Sequence, residues 1–320
     1  MSLTAPVLFV LLWSSGYVVG AVGVGAAGPF ALLSLRFVLA TLLAVPLALR
    51  VPGWRRAPFR RLALIGLATQ AVQFAGAYSG LALGVPPALS ALVMLGLSPL
   101  ASTAVAARLG LERPGRRTWA ALTVGALGVA VSVAPELGDA RVGLGVGLTV
   151  LGTLGLVAGT VLQRGAPPVD PRVSAAVQVG TAALVTVPIT AAAGGLHLHA
   201  SAPLAWSVAW LAWPLSVGIA VLMAHLLTLH HVSTVSALLL VVPAATTLLS
   251  FALLGQAPHP LAVVGMVVTA VAVGDVVRRP AASTGDDAPP ARVAPGVPAR
   301  PPVGGAPTAP TVPWTAAHRA

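Results

Sequence analysis

The chain has 320 residues, a mean hydropathy of +0.93, 57% hydrophobic residues and 8% charged residues. A soluble domain carries roughly 25% charged residues, so this chain lacks the side chains to build a water-facing surface, and it is too apolar to be disordered throughout. Cysteine is absent, which removes disulfide scaffolds, thiolate metal sites and cysteine nucleophiles. The formal charge of +11 comes from 18 basic residues, all arginine. They stand in short clusters without aromatic interleaving, not in the continuous patch that nucleic-acid binding requires.

Runs of about 20 apolar residues fit a bilayer-spanning helix. Ten such runs are predicted, at 5–25, 29–49, 62–82, 85–107, 118–135, 142–162, 173–194, 206–228, 233–254 and 259–277. Internal Gly and Pro are tolerated where neighbouring helices satisfy the freed backbone groups. The first run has no basic residue in front of it, unlike a signal peptide, and is expected to be a retained helix. Thirteen of the 18 arginines fall in the loops after the second, fourth and sixth runs and just after the tenth, whereas the opposite loops hold Arg141 alone. The positive-inside rule then puts both termini in the cytoplasm of a multi-pass plasma (inner) membrane protein. An even number of spans independently requires the termini to share a side. After Arg279 the composition turns to Pro, Ala, Thr and Gly, and residues 280–320 are expected to form a disordered cytoplasmic tail.

An internal repeat connects the two halves. Ser90-Ala91-Leu92 recurs as Ser236-Ala237-Leu238, Pro99 stands 13 residues before Glu112 as Pro243 does before Gln256, and Gly125 aligns with Gly265. The unit is five helices. Because five is odd, the second unit, 138–279, must run through the membrane inverted relative to the first, 1–137. Inverted halves flanking a midplane site are a signature of secondary transporters.

The order and spacing of several short motifs resemble the EamA-type families of the drug/metabolite transporter superfamily. They are Trp13-Ser14-Ser15-Gly16, Ser34-Leu35-Arg36-Phe37, Ala88-Leu89-Ser90-Ala91-Leu92, Ser98-Pro99, Leu111-Glu112-Arg113 and Gly125-Ala126-Leu127-Gly128, with a looser second copy from His231 to Gly265. The resemblance covers about residues 5–277; Gln256 stands where the family carries a second acidic residue. It implies an all-α, ten-helix membrane fold, movement of small organic molecules, and no catalysis.

Polar side chains are costly in hydrocarbon and therefore draw attention. Trp13 and Tyr17 share a helix face, with Ser14 beside them, and Gln70 and Gln73 lie three apart in the third run, followed by Tyr78. Aromatic walls with a few polar tips suit a small-molecule cavity, so these six are the expected substrate-cavity residues. Interface anchoring and interhelical hydrogen bonding are the alternatives for the aromatics and the glutamines. Arg36, about 10 Å into the second run at 1.5 Å per residue, reads as a structural residue that snorkels or satisfies helix-end carbonyls, with neutralisation of an anionic substrate as the alternative. Pro99 and Pro243 are expected to break their helices and mark moving segments. Glu112 reads as a brace in the basic loop, His225 as a candidate for proton coupling, and Asp275 as a local ion-pair partner of Arg278 and Arg279. His225, His230 and His231 lack the carboxylate or thiolate that would complete a metal set, so no metal and no cofactor are expected. Rows such as Gly76-Gly80-Gly84 and Gly155-Gly159 read as helix-packing seams. Gly23-Val24-Gly25-Ala26-Ala27-Gly28 spells a dinucleotide fingerprint but follows a membrane run instead of a strand.

The expectation is a non-enzymatic secondary carrier, most simply an exporter, of small organic or amino-acid-like metabolites. Its partners are the lipid bilayer and a small-molecule substrate, with no nucleic acid. A homodimer is compatible with the glycine content but not required by it. A non-transporting membrane scaffold is the alternative.

Overall fold

A computed structural model of the chain describes residues 4–110, 113–163, 167–193, 201–219, 222, 226 and 238–278. These residues are predominantly helical, with no strand among them. The α-helices are α1 (Thr4–Ala27), α2 (Pro29–Leu49), α3 (Phe59–Gly66), α4 (Gln73–Ala82), α5 (Pro87–Arg108), α6 (Arg116–Val133), α7 (Ala140–Gln163), α8 (Pro171–Ala192), α9 (Ala202–Trp210), α10 (Val242–Leu254) and α11 (Pro260–Arg278). Two π-helical segments continue the chain without a break: Leu67–Val72 joins α3 to α4, and Leu211–Gly218 extends α9. Six helices are long and apolar enough to cross a membrane: α1, α2, α5, α6 with its 3-10 extension to Gly138, α7 and α8. Their outward faces agree with that, since Leu42 and Leu184 are 66% and 78% exposed, a pattern that suits lipid and not water. The molecule is a helical membrane protein.

Lipid provides no hydrophobic drive between helices, so close packing holds them together. The closest seam joins α4 and the first π segment to α7. A Cβ added to Gly76 would strike the Leu148 carbonyl oxygen and lie 2.6 Å from the Gly152 nitrogen, and one on Gly152 would lie 2.6 Å from the Gln73 carbonyl oxygen. Gly80 packs in the same way on Thr149, Gly155 on Ala68 and Gly159 on Thr69. The two glycine rows read from the sequence therefore face each other. Gly84 leaves its row: it lies beyond α4 in a turn, with φ +97°.

The α6–α11 seam is reciprocal. A Cβ on Gly128 would meet Thr269 and the Gly265 carbonyl, and one on Gly265 would meet Ser132 and the Gly128 carbonyl. Across the same seam, Ser132 Oγ donates to Ala262 O at 3.0 Å and Thr269 Oγ1 to Gly125 O at 3.1 Å. These contacts make the helices antiparallel and pair Gly128 with Gly265. The α2–α8 pair is also antiparallel, tied by Ser34 Oγ and Thr190 Oγ1 at 2.8 Å. In hydrocarbon such hydroxyls have no water to turn to, and they bond either across the seam or back to their own helix.

Two prolines expected to behave alike do not. Pro99 sits inside α5, which continues across it to Arg108. Pro243 lies in the first turn of α10, just after a turn at Leu240–Val241, where its missing N–H costs nothing. Residues 280–320, Glu112, His225, His230 and His231 lie outside the described residues.

Because a methyl group at Gly76 or Gly265 must displace backbone, Gly76→Ala and Gly265→Ala are expected to destabilise by about 1–3 kcal/mol each, the usual cost of overpacking. Gly147, inside α7 with nothing within 4 Å of its added Cβ, is the control, and Gly147→Ala should leave the melting midpoint in detergent unchanged or slightly higher.

Candidate functional site

A cavity of about 810 Å³ lies among α1, α2, the first π segment and α4, α8 and the second π segment. On α2 its wall is Arg36, Ala40, Leu43, Ala44 and Leu47, a stripe at helical spacing that covers about 16 Å of axis at 1.5 Å per residue. Opposite them on α8 stand Pro171, Arg172, Ser174 and Gln178. The helices are antiparallel, so the end of α2 and the start of α8 form the mouth, with Arg36 and Gln178 deeper inside. That mouth carries the basic loops: Arg50 caps α2, Arg55 and Arg56 follow, and Arg61 donates from Nε and Nη2 to the Leu162 carbonyl at the end of α7.

Beyond Arg36 the packing is continuous. Leu32 and Leu33 of α2 are fully buried with Val24, Leu81, Leu204 and Leu211 in one cluster, and the Ser34–Thr190 hydrogen bond lies on this side. The cavity is thus open toward the basic end and shut toward the other.

Both π segments face it. Gln70, and Gln73 and Phe74 just past the first segment, line one wall, while Ala212, Trp213, Leu215 and Ser216 of the second line another. A π turn widens the helix and leaves backbone groups less tightly paired, which is why such turns recur at functional sites. Side-chain bonds back to the backbone occur at both. Thr69 Oγ1 donates to the Ile65 carbonyl at 2.8 Å at the first, and at the second Pro214 removes an N–H while Ser216 Oγ donates back five residues to the Leu211 carbonyl at 3.0 Å.

Five of the six residues expected in a cavity, Trp13, Tyr17, Gln70, Gln73 and Tyr78, line this one together. Ser14 does not. Its side chain is fully buried on the far side of α1, donating to the Val242 carbonyl of α10 at 3.2 Å. Ser15 takes a different partner, accepting from Trp210 Nε1 at 2.9 Å. Arg36 neither snorkels nor meets helix-end carbonyls: it is 4% exposed, its Nη1 donates to Tyr78 Oη at 3.2 Å, and its guanidinium carbon sits 4.1 Å from the centre of the Phe74 ring. Cation–π contact of this kind is worth about 2 kcal/mol or more when desolvated. Pro99 and Pro243 stand apart from the cavity wall. Asp275 is placed 3.7 Å from Arg117 of α6, so it links the ends of α6 and α11.

Sequence reasoning missed Phe74, Met94, Gln178, Trp213 and Ser216, all on the wall. Gln178 carried a usable signal, a carboxamide well inside an apolar run. Nothing in the sequence distinguished Phe74 or Met94 from lipid-facing residues. At the mouth Arg172 is engaged, since its Nε lies 3.2 Å from Asp170 Oδ1. The Arg172 backbone N–H first, and then its guanidinium, hold the Asp170 carboxyl below the usual carboxylate range.

No family model and no curated protein matches this sequence. A solved structure, described only as a crystal structure of a protein, is similar at TM-score 0.60 and 22% identity, over 86% of this chain and 96% of its own. At that identity the likeness speaks for the fold alone.

Since the chain has no native cysteine, single cysteines report access without background. Ser174→Cys in the wall is expected to react with a water-soluble maleimide in detergent micelles. Ser34→Cys, behind the closed end, should stay unlabelled until the protein is denatured, because thiol modification needs exposure.

Proposed function

We propose that the chain is a secondary transporter of small organic or amino-acid-like metabolites, working by alternating access and exporting them across the plasma membrane. The observation that carries this reading is the 810 Å³ cavity, open at one end and sealed at the other. Its volume is that of a small-molecule site. By the positive-inside rule its basic end is cytoplasmic, so this conformation is the one that loads from the cytoplasm.

Alternating access needs a second arrangement in which the seal opens and the mouth closes, and two inverted halves provide it by exchanging their packing. Three features support five-helix halves meeting between α6 and α7. Exchanging the halves turns the contact of α4 with α7 into that of α9 with α1, and the contact of α5 with α7 into that of α10 with α1; both members of each pair are present. The pairs α2–α8 and α6–α11 map onto themselves, and α6–α11 has the reciprocal Gly128–Gly265 contact. The π segments fall at equivalent places, in the third helical span of each half. The motif resemblance to the EamA-type families agrees with this organisation, and both termini are then cytoplasmic.

The test compares metabolites in medium and cell extract when the protein is overproduced, against a Trp13→Ala/Gln73→Ala double variant at equal membrane abundance. A defined set of compounds is expected to leave the cell only with the intact protein, with export by the double variant reduced about a hundredfold if each of the two side chains contributes about 1.4 kcal/mol, a factor of ten. If no compound differs over a broad panel, the carrier reading fails and a non-transporting scaffold takes its place.

A further inference from the structure

Among the charged side chains of the cavity wall, Arg172 is at the mouth and already faces Asp170. Arg36 is different. It is 4% exposed, its described hydrogen bond goes to a neutral phenol, and its Nε has no acceptor among the described residues. No carboxylate among the described residues stands against it, and none of the described wall residues is Asp or Glu. A buried, always-charged guanidinium is costly unless something negative pairs with it. Ring faces and a phenol offset part of that cost, yet they use few of the five N–H donors. An internal acid would have been the simple solution, and none of the described wall residues is one.

Resting on the carrier reading of the same cavity, we propose that its cargo is an amphipathic monocarboxylate whose carboxylate pairs with Arg36. Arg36, the one buried cation among the described residues, matches a single negative charge, whereas a phosphate dianion would call for a second. The fork of the guanidinium fits a planar carboxylate. Around it the wall is aromatic and aliphatic, with Trp13, Tyr17, Phe74, Met94 and Trp213, which suits an apolar body. Gln70, Gln73 and Ser216 are uncharged polar groups that can meet a hydroxyl or amide on that body. The phenol of Tyr78, held by Arg36, is a second donor within reach of the same carboxylate. A cationic cargo would meet an uncompensated like charge at the deep end of the cavity.

The experiment measures equilibrium binding to purified wild-type protein in micelles with three probes of one shape: 3-phenylpropionate, 3-phenylpropionamide and 3-phenylpropylamine. The carboxylate is expected to bind at least about tenfold more tightly than either of the others, the scale of one charge-assisted contact, and alone to raise the melting midpoint. Equal binding of the three, preference for the amide or the amine, or no binding of any up to millimolar concentration overturns the proposal. Arg36→Gln then separates a ligand role from a packing role. Removing an unpaired buried charge should leave the ligand-free midpoint unchanged or higher and erase the preference, and Arg36→Lys should keep it in part. A lower midpoint with the preference intact assigns Arg36 to packing and overturns the proposal. Selective carboxylate binding without flux of any compound through proteoliposomes defeats the carrier reading and leaves the anion site standing. Flux confined to cations or neutral compounds does the reverse.

Discussion

Glycine-to-glycine contact between antiparallel helices is the interaction on which the remaining architecture depends. In hydrocarbon the backbone satisfies itself within each helix, and helices then gain by approaching closely enough for backbone to touch backbone. Gly76 against Gly152 and Gly128 against Gly265 do this in two separate seams. With α4 fixed on α7 and α6 on α11, the faces of α1, α2, α8 and the second π segment that have no such partner are left to enclose a space. The cavity is what remains when the small-residue faces have been used for packing.

That space is polar in a controlled way. Part of its polar lining sits where a helix has been widened: Gln70 and Ser216 lie within the two π segments and Gln73 directly follows the first, while Ser174 and Gln178 come from the regular helix α8. Serines and threonines elsewhere, such as Thr149, Thr153 and Thr186, bond back to their own helices and offer nothing to a ligand. Arg36 is the exception, a charge held by aromatic faces and a phenol at the inner end of the wall.

The sequence shows helical spans and cavity aromatics well and shows seams and breaks poorly, for identifiable reasons. Long apolar runs announce α1, α2 and α5 to α8, since the bilayer demands that length whatever the neighbours. Trp13, Tyr17, Gln70, Gln73 and Tyr78 stand out because large polar-tipped side chains are expensive in lipid. Ser14 stood out on the same ground but serves α10, and a one-residue step around a helix, about 100°, is enough to turn a side chain from cavity to seam. Pro99 and Pro243 have the same chemistry in the sequence. One is carried inside a helix and the other opens one, because neighbouring packing decides whether a lost hydrogen bond breaks a helix.

The sequence by itself determined the solvent of this protein, the helical class and the end of the bundle that carries the basic loops, because hydropathy and arginine placement act residue by residue and need no partner. Tertiary structure alone decided the rest. It paired Gly128 with Gly265, set the Leu32–Leu33 layer as a seal, and drew Arg36, Phe74 and Tyr78 into one cluster. Those are properties of faces brought together from distant helices. A linear pattern gives each face, but only the packed bundle says which face it meets.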